Sequence, residues 1–142
     1  MTRFARVYAR IAIGSAFLSA VAQRFAGPGA FAHFIGYTGE VNSFMPRFTI
    51  PFLAVAATIA ETTLGILLIA GFRIRWTGLA ASILLAMFGV AMAISFGITS
   101  PMDYSVFSAS AGALLLSTHE SFADHRTRSA DRTAVVHAPA LF

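Results

Sequence analysis

The 142-residue chain has no cysteine, no lysine and, before residue 117, no run of polar residues; only 11% of it is charged. Each shortage excludes something. Without cysteine there is no disulfide, no thiol chemistry and no cysteine-held zinc or iron–sulfur cluster. A redox role would therefore need a bound organic cofactor or a partner protein. A soluble domain carries about 25% charged residues. This chain carries less than half of that, with 57% hydrophobic residues and a mean hydropathy of +0.74, and so reads as a chain dissolved in lipid. The absence of lysine leaves ten arginines to carry all the fixed positive charge. They are scattered among apolar segments rather than gathered on one polar face, which excludes a nucleic-acid-binding surface. Nucleotide-binding, zinc-protease and nucleophile-elbow patterns are missing, and there is no internal repeat.

What is present is a series of apolar segments. The most informative runs from Ile50 to Ala70, IPFLAVAATIAETTLGILLIA. A bilayer core about 30 Å thick needs roughly 20 apolar residues to span it as a helix. Glu61 interrupts this run near its middle, where a carboxylate costs at least a few kcal/mol unless it is neutral, paired or wet. At 100° per residue, Ala54, Ala57, Thr58, Gly65 and Leu68 share its face, and Phe52, Val55, Ile59 and Ile66 lie opposite. Small residues around the acid and bulky ones facing away turn Glu61 into a helix bundle and the bulky face toward lipid.

Before it, Arg3, Arg6 and Arg10 precede an apolar run. A basic start, a short apolar core and Ala20-Val21-Ala22 have the shape of a cleaved signal peptide. The competing reading is a first span from about Val7 to Ala26. On that helix Arg10, Gly14, Phe17, Val21 and Arg24 form one stripe. Arg10 is expected to snorkel to its surface; Arg24 can snorkel or turn inward to Glu61. Gly27-Pro28-Gly29 stops the helix. The stretch to residue 49 is too short and polar to span and suits an amphipathic segment in the headgroup region, although Gly36 and Gly39 weaken a helix there. Glu40 is a solvated rim charge or a partner for Arg24 or Arg47.

The span ending near Gly71 is followed by a basic turn, and the third span runs from Trp76 to Ile98 with no charge; Gly78, Ser82, Gly89 and Ala93 share a stripe that allows close helix contact. A fourth span is expected from Pro101 to about Thr118. Ser100 would be its N-cap, Pro101 its first residue and Asp103 the third, a variant of the capping box. Asp103 either caps or pairs with Arg24, and Ser105, Ser108, Ala109 and Gly112 form a small face for a neighbouring helix. Residues 119–142 read as a disordered tail. His119, Glu120 and His125 lack a scaffold for a metal, so none is assigned. With the amino terminus inside, the inner segments hold eight arginines and the outer ones two, Arg24 and Arg47. This bias puts both termini in the cytoplasm. The expectation is an all-α integral membrane four-helix bundle over residues 1–118, up-down-up-down, with a short interfacial segment between helices 1 and 2. Its helix-packing positions are Gly14, Gly65, Gly89, Ser108 and Gly112.

The stretches FLSAVAQRFAGPGAF (17–31), YTGEVNSFMP (37–46), IAETTLGILLIAGFRIR (59–75) and SPMDYSVFSASAGALLL (100–116) resemble the DoxX family of small four-helix bacterial membrane proteins. Arg24 matches the family's basic residue at the end of the first span, Glu61 its acid within the second, and Asp103-Tyr104 its Asp-Tyr pair before the fourth. Gln23 stands where close relatives have an acid. The resemblance implies a membrane subunit or accessory of a redox system, linked to quinone reduction, sulfur oxidation or oxidative stress, in the bacterial inner membrane. It implies redox-complex protein partners, with a quinone as candidate cofactor. Beside such a ligand a buried acid suits proton transfer, which makes Glu61 a candidate proton carrier; its alternative is a neutral or Arg-paired acid that fixes helix packing. A homo-oligomer is a further option, and a carrier of four short spans would need one. The alternatives from other classes are a proton-coupled carrier of a small solute and a non-catalytic assembly or anchoring protein.

Overall fold

A computed structural model describes residues 3–118, and among them every regular element is helical. The order is α1 (Arg3–Gln23), α2 (Ala30–Val41), a single 3-10 turn (Arg47–Thr49), α3 (Ile50–Ala70), α4 (Ile74–Phe96), α5 (Thr99–Asp103) and α6 (Val106–Thr118). The three helices of 21, 21 and 23 residues, α1, α3 and α4, are apolar and long enough to cross a bilayer. The expected tail, with His119, Glu120 and His125, lies outside the described residues.

Burial on α3 follows the small-residue face. Ile50, Ala54, Ala57, Glu61, Gly65 and Leu68 are buried, while Phe52, Val55, Ile59 and Ile66 are exposed. The stripe on α1 is likewise the packed one, with Gly14, Phe17 and Arg24 buried. The two helices are antiparallel. Their axes meet where Gly14 faces Gly65, so closely that a Cβ on Gly14 would stand 2.9 Å from the Gly65 carbonyl oxygen. Contact between backbones substitutes here for the hydrophobic driving force that lipid does not supply.

The turn from α3 to α4 gives partners to the last carbonyls of α3 at Leu67, Leu68 and Ile69. Gly71, at φ 78, ends α3 in a Schellman arrangement: Phe72 N–H donates to Leu67 O and Gly71 N–H to Leu68 O. Arg10 completes it. Its Nε donates to Leu68 O and its Nη2 to Ile69 O, each at 2.9 Å. Arg10 reaches toward the bundle end as expected and also caps α3 there; a cation at the negative end of a helix dipole gains both hydrogen bonds and charge.

The second antiparallel pair is α4 with α6. Gly78 lies against the backbone of Ala113 and Ser117, Ser110 Oγ donates to Ser82 O at 2.9 Å, and Gly89 lies under the Phe107 ring. The core joining both pairs contains Phe17, Leu68, Ile74, Ala81, Ala113 and Leu116. At the opposite end from the α3–α4 turn, α2 rests on α3 and α4, with Val41 packed on Ala91 and Met92 and Ser95 Oγ donating to Val41 O. It is a regular helix in spite of Gly36 and Gly39, because Gly39 seats against Ile50.

Two expectations about the last span need correction. The capping box does not form: the helix begins at Thr99, Ile98 occupies the cap position, and no side chain caps it. Nor is the span continuous. Ser105 adopts φ 53 and breaks it into α5, five residues, and α6, 13 residues over the described chain, about 20 Å at 1.5 Å per residue. On α6 it is Ser110 that is buried, against Ser82, while Ser108, expected at the packed face, is exposed. Gly112 meets only the Ile13 side chain, at an ordinary 3.7 Å.

These contacts rank the glycines. A Cβ at Gly78 would approach the Ala113 carbonyl oxygen to 2.9 Å, so Gly78→Ala should cost about 1–3 kcal/mol through overpacking. Gly112→Ala has room and should be neutral or gain up to about 1 kcal/mol from helix propensity. Thermal unfolding of both variants in one detergent checks the order; equal behaviour would contradict the packing described.

Candidate functional site

The polar centre of the bundle is built by α1, α2 and α3. Arg24 follows directly on the last turn of α1, held by a hydrogen bond from its N–H to Val21 O. Its guanidinium turns inward. Nη2 donates to Glu61 Oε2 at 2.6 Å and Nη1 to Thr58 Oγ1 at 2.9 Å. Thr58 spends its own proton on Ala54 O, one turn back, which leaves its oxygen free to accept from Arg24. Above the guanidinium lies Phe34 of α2, with its ring centroid 3.7 Å from Arg24 Cζ. Phe31 is tilted against Phe34 and stacked on Phe25 with centroids 5.5 Å apart. Side-chain exposure is 9% for Arg24 and 3% for Glu61. A pair this deeply buried is screened little by salt.

The local reasons are legible. Arg24 sits two turns beyond Phe17 on the packed stripe, so the geometry that buries Phe17 aims Arg24 at α3. Glu61 is one turn from Gly65, where α1 and α3 come closest, so its short side chain is within reach. Charge-assisted contact with one carboxylate oxygen, a hydroxyl and an aromatic face satisfies a guanidinium that would otherwise be costly in hydrocarbon.

The other charged candidates lie elsewhere. Arg10 is engaged at the end of α3. Glu40 and Asp103 are exposed, and neither pairs with Arg24 or Arg47; Arg24–Glu61 is the one ion pair among the described residues. Glu40 does act on its surroundings: burial first, then Tyr104 and Glu40, push the Tyr37 phenol above its ordinary value. Gly14 and Gly65 lie at the α1–α3 crossing beside the pair, and Gly89 at the α4–α6 contact. No group of acidic or histidine side chains able to hold a metal occurs among the described residues. Sequence reasoning missed Phe34 as the lid over Arg24. It also missed Thr58 as its second acceptor, although Thr58 lies on the face of Glu61.

Long apolar helices packed through glycines around a buried ion pair define a multi-pass helical membrane protein. The chain belongs to the DoxX family, whose model, described as DoxX, matches residues 5–100. Both members of the ion pair lie inside that stretch, and Asp103-Tyr104 lies beyond it. No curated protein and no solved structure matches the chain.

The pair makes a double-substitution prediction. Removing one member of a buried pair strands the other and costs about 3–5 kcal/mol. Arg24→Gln and Glu61→Gln should each lower thermal stability by that order, and the double variant should lose clearly less than their sum. Additive losses in thermal unfolding would show that the two side chains do not act as a unit.

Proposed function

We propose that the protein is a membrane subunit or accessory of a redox system that works with the quinone pool or with sulfur compounds. The observation that carries this reading is the meeting of Arg24 and Glu61 at 2.6 Å inside the bundle. These are the two positions at which the chain matches the basic residue and the acid of the family pattern. A quinone is the candidate cofactor. Its flat ring suits the Phe25, Phe31 and Phe34 faces beside Arg24, and its carbonyls suit a guanidinium donor. Nη1 and Nη2 of that guanidinium are engaged by Thr58 and Glu61, so a quinone would have to compete with one of them.

The same engagement favours a second reading, in which the pair only holds helices together and the protein anchors or assembles its partners. Glu61→Gln separates the two. In a proton-carrying subunit a folded Glu61→Gln protein loses the activity of the complex; in an anchoring protein it keeps that activity wherever it folds. The broader test is purification in mild detergent, with mass spectrometry of the proteins and lipids that accompany the chain. Oxidoreductase subunits and bound quinone are the expected companions. Recovery of the chain alone and free of quinone, from membranes in which the candidate complex is intact, would refute the redox assignment.

We further propose the bacterial inner membrane as its location, with both termini in the cytoplasm, from the distribution of arginines. A reporter fused after Phe142 should then be active only if it works in the cytoplasm, and periplasmic activity would overturn the orientation.

A further inference from the structure

Among the described residues, the end of the bundle formed by the start of α1 and the α3–α4 turn carries positive charge with no acid beside it. Arg3, Arg6 and Arg10 recur on α1 at helical spacing, and Arg73 and Arg75 stand in and just after the turn. The acids among the described residues, Glu40, Glu61 and Asp103, lie in the middle of the bundle or toward its opposite end. Two of these arginines are placed against local preference. Arg6 has its Nε buried with no hydrogen-bond partner among the described residues, and an unpaired buried donor is unfavourable. Arg73 adopts φ 41, a left-handed conformation that glycine or asparagine accepts more readily.

The positions converge. The Arg10 guanidinium lies over Gly71, where an added Cβ would run into it, and Gly71 is two residues before Arg73. Arg6 is one turn from Arg10, about 6 Å along the axis of α1. Exposed Phe4, Tyr8, Phe72 and Trp76 surround the same end. Tyrosine and tryptophan sit at the level of lipid headgroups, and the Arg73 guanidinium lies 5.8 Å over the Phe72 ring.

We infer that this end is a binding site for the phosphate of an anionic phospholipid, held by Arg6 and Arg73 beside Arg10, whose Nε and Nη2 stay on the α3 carbonyls. A phosphate oxygen offers an acceptor to the Arg6 guanidinium, whose Nε has none among the described residues. Guanidinium and phosphate match in charge and in paired donor–acceptor geometry. Arg3 and Arg75 add attraction for an anionic headgroup and oppose the ammonium of a zwitterionic one. Basic recesses between membrane helices bind anionic headgroups in this manner.

The test uses the full chain in a neutral detergent. Thermal unfolding is followed with added phosphatidylglycerol, with phosphatidylcholine of the same acyl chains, and with inorganic phosphate at equal concentration. Phosphatidylglycerol should raise the melting temperature by several degrees, and the other two should not. The Arg6→Gln, Arg73→Gly double variant removes two of the charges while relieving the backbone at position 73. It should melt no lower than the unaltered chain without lipid, yet lose at least half of the shift that phosphatidylglycerol produces. Equal stabilisation by phosphatidylcholine, a full shift from inorganic phosphate alone, or an undiminished phosphatidylglycerol shift in the double variant would each overturn the proposal. Should the variant fail to fold, the comparison of lipids on the unaltered chain decides by itself.

Discussion

The bond between Arg24 and Glu61 is the constraint around which the bundle is arranged. Neither side chain has a place in hydrocarbon alone; together, with Thr58 accepting and Phe34 covering, they do. The requirement that they touch determines much else. It demands that α1 and α3 run antiparallel and close, which demands glycine at both 14 and 65. It also demands that the end of α1 be roofed, a role that falls to α2. In this sense a single charge pair accounts for the glycines at the crossing of α1 and α3.

The two ends of the α1–α3 pair treat their cations differently. At one end, Arg24 meets a formal negative charge. At the other, Arg10 meets only backbone carbonyls, those of Leu68 and Ile69, at the negative pole of α3. Both solutions remove the penalty of an arginine near the lipid. The second also removes a penalty of the helix itself, since the last carbonyls of α3 have no partner within the helix. A single helix pair thus uses arginine once as a counter-ion and once as a cap.

How much of this could be read from the chain depends on whether one helix or two is needed to see it. The face of α3 around Glu61 and the stripe from Arg10 to Arg24 are properties of one helix, and periodicity finds them. The Arg24–Glu61 contact was among the pairings open to the sequence because both side chains lie on packed faces at compatible depth. Arg10 as a cap was not legible, since it depends on the register in which α3 ends against α1. Nor was the break at Ser105: serine has no marked taste for positive φ, and Ser100-Pro101-Met102-Asp103 signals a helix start more strongly than an interruption. The helix α2 ran the other way. Its two glycines argue against it locally, and packing on α3 and α4 prevails.

The cover that Phe34 places over Arg24 makes the ion pair and the seat of α2 interdependent. Without Glu61 the Arg24 guanidinium has no counter-ion and no fixed direction. Without a fixed guanidinium the Phe34 ring has no charged face to rest on. The two charges stand 37 positions apart in the chain, and α2 lies between them. A helix of the loop is thus seated on a contact to which it lends no charge of its own.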